Sequence, residues 1–135
     1  MSSITTLLSV FALLVAACGS GPGVAVDGTW ELESGTSAGE PIPVVSDHPI
    51  TMILDGSEIS GVAACNQYQG RVDVSGDRFE LAEVAVTEMA CFPEEVMAAE
   101  AAYLTALGEA ATVAAVEGER LVLRGPDVEL VFRRR

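Results

Sequence analysis

The sequence predicts a mainly β fold of the α+β class: a small antiparallel sheet that curls on itself, with one helix closing a side or an end. Three observations carry this expectation: regularly spaced turn signals, short segments in which apolar and polar residues alternate, and a single stretch with helical spacing. The turn signals are Asp55-Gly56, Ser75-Gly76-Asp77, Glu117-Gly118 and Gly125-Pro126-Asp127. Punctuation this frequent favours antiparallel strands joined by tight turns.

The first expected strand is Thr29–Glu33. Pro41 and Pro43 then place the stretch from Ser34 to Pro49 in a long irregular loop, because proline donates nothing to a strand ladder. Ile50–Leu54 and Glu58–Ala63 follow on either side of Asp55-Gly56, and Gly70–Val74 and Arg78–Leu81 flank Ser75-Gly76-Asp77. Thr112–Val116 and Arg120–Leu123 flank Glu117-Gly118, and the chain closes with Val128–Arg133, whose alternation is the most regular of the set.

Between Pro93 and Leu107 the period changes. Val96, Met97, Tyr103, Leu104 and Leu107 fall on one face at helical spacing, and the alanine content favours a helix. Pro93 fits the first turn, Glu94 and Glu95 put negative charge at the positive end of the helix dipole, and Gly108 reads as the stop. An apolar stripe of this kind packs on its own core or serves a partner, and the first is the commoner use.

Of the chain's 135 residues half are apolar, and 20 acidic side chains against 7 basic ones give a formal charge of −13. This balance argues against a nucleic-acid partner. All the basic residues are arginines, so lysine nucleophiles and Schiff bases are excluded, and His48 is the only histidine.

The extreme N-terminus reads as an address. From Ile4 to Ala17 the chain is apolar and uncharged, too short to span a bilayer in the usual way, and it has the character of a signal-peptide core. Val15-Ala16-Ala17-Cys18 resembles the bacterial lipobox, which implies cleavage after residue 17 and lipid attachment at Cys18. Two or more acyl chains, each buried methylene contributing about 0.8 kcal/mol, hold a protein on a membrane stably. Residues 18–27, rich in glycine and poor in bulky side chains, read as a flexible leash, and residues 28–135 as one folded domain.

With Cys18 assigned to lipid, Cys65 and Cys91 remain, an even number in an exported chain. We expect them to pair and to pin the helix to the sheet; the alternative is two buried thiols. Closing a loop of this length contributes roughly 3.5 kcal/mol in the chain-entropy picture.

The segment Gly61-Val62-Ala63-Ala64-Cys65-Asn66-Gln67-Tyr68-Gln69-Gly70 is similar to the G-x-x-G-C-N-x-Y-x-G segment of the META domain family, which includes the HslJ heat-shock protein. Gly28-Thr29-Trp30-Glu31-Leu32, then Thr87-Glu88-Met89-Ala90-Cys91-Phe92-Pro93, then Met97, Glu100 and Tyr103-Leu104, and finally Leu121, Leu123 and Val128–Phe132 follow the family's landmarks in order. Ala64 stands where the family usually has glycine. The resemblance implies a partly open, lipocalin-like β-barrel with one α-helix. It implies no catalytic residue and no cofactor, and it links the chain to envelope stress and antibiotic tolerance.

Trp30, Asn66 and Tyr68 are the candidate pocket residues, an aromatic wall with an amide and a phenol as polar tips. The competing reading makes Trp30 and Tyr68 core residues and has Asn66 bonding its own backbone. His48 reads as surface and lacks companions for a metal set, and Asp73 and Asp77 read as a solvated turn. The terminal Arg133-Arg134-Arg135 either attracts lipid phosphates or keeps an exposed end soluble. Glu94 and Glu95 are better explained as helix-start charges than as catalytic carboxylates. The expectation is therefore a non-enzymatic, lipid-anchored, extracytoplasmic envelope protein acting through protein or envelope contacts; the alternative is a carrier or sensor of a small apolar ligand inside the barrel.

Overall fold

Among the described residues, nine strands and one helix form in the order β1 Gly28–Ser37, β2 Glu40–Pro41, β3 Thr51–Asp55, β4 Glu58–Ala63, β5 Asn66–Ser75, β6 Arg78–Val86, α1 Glu94–Glu109, β7 Thr112–Glu117, β8 Arg120–Gly125 and β9 Val128–Arg134. They come from a computed structural model that describes residues 25–135. The leader, the lipidation residue Cys18 and the leash as far as residue 24 lie outside the described residues. Val26 and Asp27, assigned to the leash from sequence, belong to the folded body: Val26 is buried, its carbonyl accepts a 2.8 Å hydrogen bond from Trp30 Nε1, and Asp27 accepts one from the Gly56 amide.

All pairings are antiparallel and all but one join strands adjacent in the ring order β1-β3-β4-β5-β6-β7-β8-β9, which β1 and β9 close; β2 is a short flap on β1. The result is a closed eight-stranded barrel, as expected in class, with one thin joint. At that joint β6 and β7 share a single residue pair, Arg78 with Thr112, backed by backbone bonds from Phe79 to Ala111 and from Val113 to Asp77.

Several boundaries differ from the sequence reading. β1 runs on to Ser37, past a bulge between Leu32 and Ser34, because its second half has both β9 and β2 as partners. The Ser34–Pro49 stretch is thus irregular only beyond Pro41, and even there Ile42 is buried and bonded to Gly35. The helix does not stop at Gly108; it continues to Glu109, and Ala110 N–H still donates to Ala106. Gly108 is exposed and meets nothing, so a glycine there is tolerated rather than needed. β5 starts at Asn66 and β6 extends to Val86, both longer than their apolar alternation suggests.

Alternation decides what faces inward. Trp30, Met52, Ile59, Tyr68, Phe79, Leu121, Leu123, Leu130 and Phe132 fill the interior, and most of them have no solvent contact. The helix lies across the end of the barrel on β1, β9 and β4, burying Val96, Ala99, Tyr103, Ala106 and Leu107, so its apolar stripe serves its own core. Side chains thus occupy the space that an interior apolar ligand requires.

Six hairpins turn on two residues, and in four of them the first turn position alone has a positive φ. Gly56, Gly76 and Gly118 occupy the first turn position in three of them with φ near +60°, which suits the twist of the flanking strands. In the fourth, between Ala63 and Asn66, the same position is Ala64 with φ +67°. A side chain there costs roughly 1–2 kcal/mol, and glycine's added unfolded-state freedom offsets part of the relief. Ala64→Gly is therefore expected to raise stability by about 0.5–1 kcal/mol, read as an upward shift of a few degrees in melting temperature; an unchanged or lower value would mean the turn is not strained.

Candidate functional site

The two family-like motifs meet at the helix-covered end of the barrel. The Ala64–Cys65 turn presents Asn66 inward at the start of β5, while the segment 87–93 crosses over it before α1 begins. Cys65 and Cys91 are joined by the expected disulfide, with Cα atoms 5.9 Å apart.

Asn66 is 2 % exposed, and every polar atom of its amide is engaged. Its Nδ2 donates to Glu100 Oε1 at 2.8 Å and to the Met89 carbonyl at 3.0 Å, and its Oδ1 accepts from the Met89 amide at 2.7 Å and the Thr87 hydroxyl at 2.9 Å. Its backbone N–H donates to Glu100 Oε2 at 2.6 Å. One side chain thus ties a strand, a loop and a helix together. This corrects the reading in which Asn66 bonds its own backbone: all its partners are twenty or more residues away in sequence.

A second polar pair lies deeper. Tyr68 Oη donates to the Thr51 carbonyl at 2.8 Å, which uses its only proton, so the 2.7 Å contact between the two phenols is a hydrogen bond from Tyr103 to Tyr68. The rings are 5.8 Å apart and tilted by 60°. Gly61 faces this pair, and a Cβ at that position would fall on the Thr51 carbonyl and crowd the Tyr68 hydroxyl. The glycine that opens the motif is therefore explained by packing.

Burial pushes both phenols well above their ordinary value of 10.0; the hydrogen bond that Tyr68 accepts from Tyr103 opposes this for Tyr68, and the neighbouring phenol adds to it for Tyr103. A folded-state value raised above the unfolded one contributes stability that is complete below pH 10.0 and is lost as pH climbs through the folded values. Thermal stability should therefore fall steeply on the alkaline side, and less so when both tyrosines are phenylalanine. Tyr68→Phe leaves the buried Tyr103 hydroxyl unpartnered and should cost about 1–3 kcal/mol, more than Tyr103→Phe at about 1 kcal/mol. A double-mutant cycle by denaturant unfolding should show the two changes to be less than additive; strict additivity would mean that the phenols are not coupled.

The predicted pocket residues come close together only in part. Asn66 and Tyr68 are one strand residue apart on the same face, and each borders an outer concavity, of about 400 and 490 Å³ respectively. Their polar ends, however, are turned into the protein. Trp30 is fully buried, its ring stacked under the Arg134 guanidinium at 4.3 Å. His48 is half-buried rather than free on the surface, its Nδ1 3.4 Å from the Ala64 carbonyl. Asp73 contacts Arg78 at 3.8 Å and accepts a hydrogen bond from Ser75. The terminal arginines are engaged as well: Arg133 and Arg135 each lie 2.9 Å from Glu31.

Glu100 and Tyr103 were not singled out as site residues from sequence, yet they supply half of the network. The signal was present. Glu100 falls on the stripe between Val96 and Tyr103, and an acidic residue at a core position needs a buried partner.

The META domain family model matches residues 24–135, which includes both motifs and all the strands. The chain belongs to the META domain family. Among solved structures, this META domain is similar to a protein from Burkholderia xenovorans determined by NMR, at 27% identity and a TM-score of 0.67, covering 81% of this chain and 82% of the other. It also shares its fold with a second protein determined by NMR, at 22% identity and a TM-score of 0.61, over 79% of this chain and 88% of the other. No curated protein matches the chain.

Proposed function

We propose that this META domain is a lipid-anchored, non-enzymatic protein of the cell envelope that acts through contact with another protein. The observation that carries this reading is the fate of the motif's polar groups. Asn66, Glu100, Tyr68, Tyr103 and Thr87 satisfy one another inside the fold, so they brace a surface and leave no activated nucleophile or proton-transfer pair facing solvent. The N-terminal sequence supports the anchoring: an apolar stretch ending in Val15-Ala16-Ala17-Cys18 is the pattern of a lipoprotein leader. The disulfide suits an oxidising compartment outside the cytoplasm. With a net charge of −13 the body is repelled by nucleic acid and by anionic lipid headgroups, which leaves the lipid as the membrane contact.

The test is the intact mass of the protein extracted from membranes. Cleavage before Cys18, added acyl mass and the loss of two hydrogens at Cys65–Cys91 are expected together; a soluble chain with its leader intact would overturn the anchoring. A role in envelope stress and antibiotic tolerance, suggested by the family resemblance, is tested by deletion. It fails if stress survival and antibiotic tolerance are both unchanged.

A further inference from the structure

After the Arg78–Thr112 pair β7 diverges, and β6 continues to Val86 with β5 on one side and, among the described residues, no strand on the other. Ala82 to Val86 are all exposed, and the chain runs on through an exposed loop to Phe92. Along this line lie Val84, Val86, Met89 and Phe92, four of the six large apolar side chains that the described surface exposes, with Phe92 84 % accessible. A strand edge with unpaired backbone groups is a template for another strand; here a bulge with Glu83 at φ +54° interrupts the edge, and carboxylates guard it against all but a basic strand.

The loop that prolongs this edge is preset. Asn66 holds Thr87 and Met89, the bond to Cys65 holds Cys91, and the Cys91 amide donates to Met97 Sδ at 3.4 Å. A display fixed in advance reduces the ordering entropy lost on binding. Beside it lies the 490 Å³ concavity, where Ile53, Val62, Ala85 and Val86 alternate with Gln67 and Gln69 and no charged side chain contributes.

Charge selects the occupant. Glu80, Glu83, Glu88, Glu94 and Glu95 flank the edge, and the nearby arginines, Arg71 and Arg78, already face carboxylates. A second copy of this chain would set Glu80 and Glu83 against themselves, and an anionic membrane would meet the same field. Position agrees with this. The chain enters the fold through Val26 and Asp27 beside the Gly56 turn, whereas Phe92 lies at the helix-covered end beside the Ala64–Cys65 turn, so an N-terminal lipid anchor pulls on the end opposite to this loop.

We propose that the outer edge of β6, with the loop through Phe92, docks an extended segment of a partner protein in which lysine or arginine alternates with apolar residues. The segment adds beside β6 as a strand, its apolar side chains meeting Val84, Val86 and Phe92 and its cations meeting the flanking glutamates. The proposal rests on the contact reading above. A failed anchoring result at Cys18 leaves it standing, and its own failure leaves the anchoring untouched.

The test uses the full chain and a blocked decapeptide alternating valine with lysine, against its valine–glutamate counterpart. Amide hydrogen exchange should show peptide-dependent protection confined to those amides of Ala82–Val86 that do not pair with β5, with the basic peptide binding at least roughly tenfold tighter than the acidic one and weakening with salt. Val86→Lys and Phe92→Ser, both at exposed positions, should each weaken it by roughly tenfold while the melting temperature holds. Equal binding of the two peptides, protection elsewhere, or edge amides already protected without peptide would overturn the proposal. It also fails if Phe92→Ser releases the chain from phosphatidylglycerol vesicles but leaves peptide binding unchanged.

Discussion

Asn66→Asp should destabilise this META domain by about 4 kcal/mol at neutral pH, a large part of the 5–15 kcal/mol that holds a domain of this size together. The substitution keeps shape and removes a donor. Where Nδ2 now donates to Glu100 Oε1 and to the Met89 carbonyl, a carboxylate oxygen would face both acceptors in a site that is 2 % exposed. Two carboxylates in contact raise their shared affinity for a proton, because one protonated partner can donate to the other. A folded-state value raised in this way makes the variant relatively more stable as pH falls and weaker as pH rises through it. Asn66→Ala should lack that pH dependence. The pair Asn66→Asp with Glu100→Gln should recover part of the loss, since the new amide supplies the missing donor while still accepting from the backbone N–H. Urea unfolding at pH 5 and pH 7 reads all four proteins; a pH-independent loss in Asn66→Asp would mean that Glu100 is not its partner in solution.

Removing the disulfide should have an effect of similar size by a different route. Cys65 and Cys91 are separated by 26 positions, and opening that loop returns about 3.5 kcal/mol of freedom to the unfolded chain. Cys65→Ala with Cys91→Ala should lower the melting temperature by roughly 10–20 °C. A reductant should shift the unmodified protein by the same amount and leave the variant unmoved. Because Asn66 also holds Thr87 and Met89, the folded variant should keep the loop in place, with far-ultraviolet circular dichroism unchanged. If reductant does not alter the melting temperature, the bond does not brace the fold.

These two sites lie on top of each other, which joins the C-N-x-Y and T-x-M-A-C segments of this chain in space. The cysteine of each motif meets that of the other, and Asn66 reads the backbone of the second motif through Met89 at both its N–H and its carbonyl. Such a network is worth more than its parts, and a half-satisfied version is worse than none.

Much of the architecture is written locally. Gly56, Gly76 and Gly118 fix hairpins by their φ angles, and alternation sets which residues of β4 and β9 face inward. Local pattern failed where a distant partner decided the outcome. β1 outruns its alternation because β9 and β2 flank it, and the helix passes Gly108 because the Glu109 carbonyl packs on Gly125 at the end of β8. His48 leans on a turn that no motif around it announces.

By itself the chain of residues determined a curled antiparallel sheet with one helix and left Cys65 and Cys91 as the pair available for a bond, because turn chemistry and side-chain period are properties of short segments; the closed ring and the bond itself are tertiary facts. Only the tertiary structure decided what Asn66 and Tyr68 do, since their hydrogen bonds depend on Glu100 and Tyr103 arriving from a helix more than thirty residues away. It alone also decided that β6 parts from β7 and leaves an edge in solvent, for pairing is a relation between strands that neither strand encodes.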